Sequence, residues 1–278
     1  MYALVAYILV TTTVELINNP DATRAWEGFD ETAQENVGNY YFVYAIPLIM
    51  TVCTTLLYRY KQWSLRLLLI ALLIGQLFFL LYAQYTLSVI AAIIGVFTAM
   101  FANIRHTYSK AIVVVAGIFS VALLPSILQF AMEHVPSEQM ATRLEELYAF
   151  FSSGDSSGYN LNGRLSLYGK TLEAFLNSPI WGNRYLPFDG HGTFLTVLGD
   201  LGLLGAVPLY YMYFRARTRV SFWIGEGGKQ FWPVFLVLFL TGLFNPIHAA
   251  LPIMLTAWFI VPLTLSLTSS DKGGEENA

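Results

Sequence analysis

The sequence predicts an all-α, polytopic helical membrane protein with seven to eight spans and one long extracytoplasmic helical loop. Three observations predict it. Of 278 residues, 56% are hydrophobic and only 12% are charged, with mean hydropathy +0.55; a soluble domain carries roughly 25% charge. Apolar blocks recur along the chain, near the length of about 20 helical residues that crosses a hydrocarbon core of about 30 Å. These blocks are continuous rather than alternating in polarity, the pattern of spanning helices and not of a barrel. The net charge of −3 gives no nucleic-acid signal. Cys53, the one cysteine, lies inside an apolar block, so no disulfide framework exists.

Residues 1–17 form the weakest block, because TTTVE (11–15) dilutes it. They lack the basic segment and small-residue cleavage site of a signal peptide. Blocks 40–58, 67–84, 87–104 and 111–131 follow and complete an N-terminal set of transmembrane helices over residues 1–131. Residues 132–190 are too long for a simple connection and carry helical signals of their own. MATRLEELYAFF (140–151) sets Met140, Leu144, Leu147 and Phe151 on one face. A soft linker, SSGDSSGYN (152–160), comes next. NGRLSLYGKTLEAFLNSP (162–179) then sets Leu165, Tyr168, Leu172, Phe175 and Leu176 on one stripe. Asn162 is placed to cap that helix and Ser178-Pro179 to stop it. Two such amphipathic helices would lie across the bundle and roof a cavity. Blocks 191–213, 231–249 and 251–268 make a C-terminal set of transmembrane helices over residues 191–268. The polar tail SSDKGGEENA (269–278) reads as disordered and cytoplasmic.

Basic residues orient the chain. If the spans alternate, YRYKQWSLR (58–66), RHTYSK (105–110), RARTR (215–219), Lys229 and Lys272 fall on one side, which holds ten of the fifteen Lys and Arg. That side is expected to be cytoplasmic. The acidic loop 18–39 and the long loop 132–190 face the other way, and there basic residues are scarce. Arg164 falls in the first turn of the second amphipathic helix, where a cation opposes the helix dipole at a cost of a few tenths of a kcal/mol. Helix stability does not account for it; a nearby anion would, and so would simple solvation at a surface. Lys170, Arg184 and Arg143 add positive charge on the same side. His191, between two glycines, stands at the mouth of the next span. Asp200 lies nine residues further on, roughly 13 Å along a continuous helix. That is too far for a direct His–Asp pair, and a mid-span carboxylate reads as a structural polar contact. Gly199, Gly202 and Gly205 suit close helix packing. NPIH (245–248) breaks the following span near its outer end and puts His248 on the side of His191.

An arginine-led amphipathic helix, then Ser178-Pro179-Ile180-Trp181-Gly182, then His191, then Asp200-Leu201-Gly202-Leu203-Leu204-Gly205 resembles the C-terminal region of the O-antigen ligase/polymerase family. The resemblance covers roughly residues 65–215. It implies a membrane glycosyltransferase in the bacterial cytoplasmic (inner) membrane, multi-pass, with its active face extracytoplasmic. The implied reaction is polymerisation of undecaprenyl-diphosphate-linked oligosaccharide repeat units into a surface polysaccharide. A ligase passing the glycan to another acceptor is the close alternative, and a non-enzymatic transporter or scaffold is the alternative from another class. The implied partners are the lipid-linked donor, a glycan acceptor, membrane lipid and a chain-length regulator protein. Three features depart from the family pattern. Ser88 is followed by Val89 where members often carry Ser-Arg, His191 is followed by Gly192 rather than Asn or Ser, and the span count reads as that of an N-terminally short member.

For that chemistry the resemblance assigns Arg164 to the diphosphate and His191 to the reaction centre. A planar guanidinium suits phosphate oxygens, so Arg164 ranks first for the departing diphosphate, Arg184 second and Lys170 third. His191, with an unperturbed pKa near 6.5, is suited to take the acceptor's proton, and when protonated it would equally suit the diphosphate. No acidic cluster has metal-site spacing, so neither a metal nor a cofactor is expected.

Overall fold

The computed structural model describes residues 2–18, 40–83, 85–104, 106–134, 138–153, 159–183, 192–245, 247 and 250–275. Among them there is helix and no strand. In chain order the helices are α1 (Tyr2–Asn18), α2 (Tyr40–Arg59), α3 (Trp63–Ala83), α4 (Thr86–Asn103), α5 (Thr107–His134), α6 (Glu138–Ser153), α7 (Tyr159–Asn177), α8 (Thr193–Ile224) and α9 (Phe231–Phe244). A 3-10 turn, Gly225–Gln230, joins the last two. Then α10 (Leu251–Leu255) runs through a π turn, Thr256–Ile260, into α11 (Val261–Glu275). Within the described residues each apolar block and both amphipathic patterns lie mainly on helices, although the block 231–249 leaves the helix after Phe244. Among the described residues three segments are long and apolar enough to cross a membrane: Tyr41–Arg59, Trp63–Leu80 and Thr193–Ile224. The other apolar helices among the described residues, Leu87–Asn103 and Gly228–Phe244 for example, are shorter.

The core forms where α4 passes between α2 and α9. Gly95 permits this, because a Cβ there would lie 2.1 Å from Thr51 Oγ1 and 2.8 Å from Val237 Cγ2. Tyr44, Phe79, Phe231 and Phe235 fill the surrounding space, fully buried. The buried threonines of α2 serve their own helix. Thr51, Thr54 and Thr55 donate their hydroxyls to the carbonyls of Pro47, Met50 and Thr51 at 2.7, 2.9 and 3.1 Å, which removes the cost of burying them bare.

One end of the bundle is tied by polar side chains. Arg59 donates to the Leu265 carbonyl at 2.9 Å, to Thr268 Oγ1 at 2.6 Å and to Gln230 Oε1. Gln230 Nε2 donates in turn to Asn103 Oδ1 at 2.8 Å. The ends of α2 and α4, the middle of α11 and the 3-10 turn therefore meet there. Nearby, the Arg217 guanidinium stacks 4.6 Å from the Trp232 ring centre.

Four local expectations are corrected. The chain between 191 and 213 is not one straight helix, because α8 breaks at Gly202, with φ 56° and ψ −155°. The basic segment 215–219 is not a loop but part of α8; arginine is a good helix former. The second amphipathic helix starts at Tyr159, not at Asn162, so Arg164 sits in its second turn and largely escapes the dipole, which acts within the first. The tail expected to be disordered is helical through Glu275, as cheap elongation of an existing helix allows.

Candidate functional site

The break at Gly202 turns α8 back on itself. Phe194 and Tyr210 are sixteen residues apart, about 24 Å on a straight helix. Yet their rings are 5.4 Å apart and the Tyr210 hydroxyl donates to the Phe194 carbonyl at 2.9 Å. Phe194 also meets Tyr213 at 5.0 Å and Phe239 at 4.8 Å, and it is fully buried. So α8 consists of a short arm, residues 193–201, and a long arm, residues 203–224, which would rise about 33 Å, still enough for a span.

The segment after α7 clasps this elbow. Leu203 and Leu204, the first residues of the long arm, donate their amides to the carbonyls of Pro179 (2.8 Å) and Ile180 (3.2 Å). Asn183 donates its amide to the carbonyl of Gly199 at 2.8 Å. Two glycines make the approach feasible. A Cβ on Gly202 would lie 2.6 Å from the Gly182 nitrogen and the Ile180 carbonyl, and one on Gly182 (φ 71°) would lie 2.3 Å from the Asp200 backbone. The two sequence motifs, Ser178–Gly182 and Asp200–Gly205, are thus halves of one backbone clasp. Gly199 does serve packing, against Thr171 of α7, as expected.

A second junction holds the start of α8. A residue before proline is driven to extended backbone, and Asn245, preceding Pro246, has φ −140° and ψ 154°. This ends α9 and turns the buried Asn245 carbonyl toward α8. It accepts the Thr193 amide at 3.0 Å, the Thr193 hydroxyl at 3.2 Å and the Ile247 amide at 2.9 Å. A backbone carbonyl thereby serves the first turn, where Gly192 offers no side-chain cap. Gly192 is small for a reason: a Cβ there would lie 2.2 Å from the Leu243 carbonyl oxygen. From α7, Tyr168 packs its ring 5.4 Å from Phe244 and donates its hydroxyl to the Phe244 carbonyl at 3.4 Å.

These two junctions locate the candidate residues. Arg164 lies on α7 one turn before Tyr168, the residue that ties α7 to this corner. Lys170 is exposed on α7. Asp200 is half-buried, two residues before the elbow, rather than in the middle of a straight span. Arg184, His191 and His248 lie outside the described residues, although Gly192 and Asn245, which flank the last two in the chain, belong to one junction. Arg143 lies on α6, which packs along α5. Sequence reasoning missed Thr193, Asn245 and Phe194. The Asn-Pro pair signalled the turn, but nothing local signalled that its carbonyl would meet a residue 52 positions away. Among the described residues, no three His, Cys, Asp or Glu side chains gather as metal ligands would. No protein-family model matches the chain, and no curated protein matches it.

Proposed function

We propose that the chain is a membrane glycosyltransferase that joins undecaprenyl-diphosphate-linked oligosaccharide units into a bacterial surface polysaccharide at the outer face of the cytoplasmic membrane. The supporting observation is the clasp. The two motifs that carry the family resemblance are bonded backbone to backbone at the elbow, and at the other end of the short arm Tyr168, one turn from Arg164, is tied to Phe244 beside the junction of Asn245 with Thr193, two residues after His191. The end bearing Arg59, Gln230 and Asn103 is the opposite end of α9 from Asn245, as the proposal requires of a site away from the basic, cytoplasmic side.

In the proposed step the acceptor hydroxyl oxygen attacks the anomeric carbon of the donor glycan. The bond from that carbon to the diphosphate oxygen breaks, and its electron pair leaves with the lipid diphosphate. His191 takes the hydroxyl proton. Arg164, with Arg184, faces the charge that builds on the leaving group, and fixed cations in a water-poor cleft stabilise such charge strongly; Lys170, ranked third from the sequence, is exposed and is not assigned to the cleft. The test is polysaccharide chain length in a deletion strain carrying wild type, Arg164→Ala or His191→Ala at matched protein levels. Loss of long chains with single repeat units retained supports the polymerase. Units missing from their final acceptor indicate the ligase. Wild-type chains in both variants would refute the proposed site.

A further inference from the structure

We infer that α7 lies in the membrane surface plane, with Leu172, Leu176, Ile180 and Trp181 immersed among lipid acyl chains. At about 100° per residue, α7 divides into three strips roughly a third of a turn apart. One is packed against protein: Thr171 and Ala174 are buried, and Leu167 and Ser178 are half-buried. The second is polar and exposed: Ser166, Lys170, Glu173 and Asn177. The third is apolar and exposed, with Leu172 at 53% and Leu176 at 65%. A helix in water needs one apolar face, toward its protein. A helix at a bilayer surface needs a second, and a polar strip between them facing water.

The apolar strip does not stop where α7 ends. It continues into the clasp, where Ile180 is 55% and Trp181 73% exposed. The clasp bonds join it to Leu203 and Leu204, themselves 45% and 53% exposed, at the head of the long arm. That arm belongs to a segment apolar enough to cross a membrane. One unbroken apolar surface therefore runs from α7 onto a candidate span, so the same lipid covers both. Tryptophan at the join suits the interface, where its ring is favoured. The carbonyls of Pro179 and Ile180 are already bonded, so the turn enters this apolar layer without those two groups bare.

Site-directed spin labelling of the full chain tests this. In vesicles of phosphatidylcholine and phosphatidylglycerol, with the buried Cys53 replaced by alanine, single cysteines are placed one at a time. The positions are Leu172→Cys, Leu176→Cys and Trp181→Cys on the apolar strip, and Ser166→Cys, Lys170→Cys and Glu173→Cys on the polar one. Collision rates are read with molecular oxygen, which enters lipid, and with a nickel(II) chelate, which stays in water. The expected result is an inversion: oxygen dominates at the first three positions and nickel at the second three. All six native side chains are exposed, so the alternation survives the loss of a variant. Nickel dominance on both strips would overturn the proposal, leaving α7 standing off the bilayer. Protection of the apolar strip from both probes would also overturn it, in favour of a protein cover such as a second copy. Neither reading depends on catalysis.

Discussion

The elbow of α8 can be probed through one methyl group. Gly202→Ala places a Cβ where φ 56° and ψ −155° hold the backbone, a region essentially reserved for glycine, costing about 1–3 kcal/mol for another residue. The same Cβ would lie 2.6 Å from the nitrogen of Gly182 and from the carbonyl of Ile180. Those are backbone atoms and have no rotamer to escape into, so the clasp must open. Opening forfeits the bonds from Leu203 and Leu204 to Pro179 and Ile180, each about 0.5–1.5 kcal/mol. Together the loss is about 2–6 kcal/mol. Two other glycines separate the terms. Gly225 has φ 73° with nothing within 4 Å of its Cβ position, so Gly225→Ala reports backbone strain alone. Gly169 has open space and lies within α7. Gly169→Ala is therefore neutral or stabilising, by up to about 1 kcal/mol from helix propensity. The assay is reversible unfolding in mixed micelles followed by circular dichroism. The expected order of stability is Gly169→Ala, wild type, Gly225→Ala, Gly202→Ala. If Gly202→Ala unfolds within about 0.5 kcal/mol of wild type, the range of a neutral surface change, the clasp as described is refuted.

Three further outcomes follow from the packing and the polar ties. Gly95→Ala drives a Cβ against Thr51 Oγ1 and Val237 and should cost about 1–3 kcal/mol as overpacking; adding Thr51→Ala should recover part of it in the same unfolding assay, and an unchanged loss would argue against that contact. Arg59→Ala should destabilise by at least about 1.5–3 kcal/mol, the scale of one hydrogen bond to a charged group, because the guanidinium bridges α2 to Leu265, Thr268 and Gln230. Arg59→Lys should rescue it only partly, since a single ammonium lacks the planar fork, and full rescue would show that charge alone matters. Thr193→Val keeps the amide bond to Asn245 and loses only the 3.2 Å hydroxyl bond, so a drop of about 0.5–1.5 kcal/mol is expected; a much larger one would mean the hydroxyl holds more of the junction than the amide does.

The helices were legible because hydropathy and period are local. The stop at Ser178-Pro179 was legible too, and α7 does end at Asn177. The elbow was not. Gly199, Gly202 and Gly205 recur every three residues, a spacing that fits close packing of a straight helix as well as it fits a break. What selects the break is a pair of carbonyls, Pro179 and Ile180, supplied from 24 residues upstream. The same holds for Asn245, where the turn was readable from Asn-Pro and its second use, as the cap of α8, was not. Straightening α8 had put Asp200 deep in a span, and folding it back puts Asp200 beside Gly182 at the elbow.

A broken helix within a membrane protein invites a different reading, since discontinuous helices in transporters aim free amides and carbonyls at a bound ion or anionic solute. The elbow of α8 is built otherwise. The amides that open the long arm, Leu203 and Leu204, are bonded at 2.8 and 3.2 Å to carbonyls of the clasp, and the carbonyl of Gly199 is bonded at 2.8 Å to Asn183. A solute would have to displace protein bonds to reach them, at about 0.5–1.5 kcal/mol each, before gaining anything. The backbone here closes a joint. If the chain binds an anion, as proposed, recognition then falls to side chains away from the joint, and α7, which leads into the clasp, carries Arg164 one turn from Tyr168. That division of labour separates the two readings experimentally. For a transporter of the usual kind, Gly202→Ala should abolish function and Arg164→Ala should be tolerated. For a transferase the Arg164 variant should fail while still folding, and the Gly202 variant should lose activity only in proportion to the fold it loses.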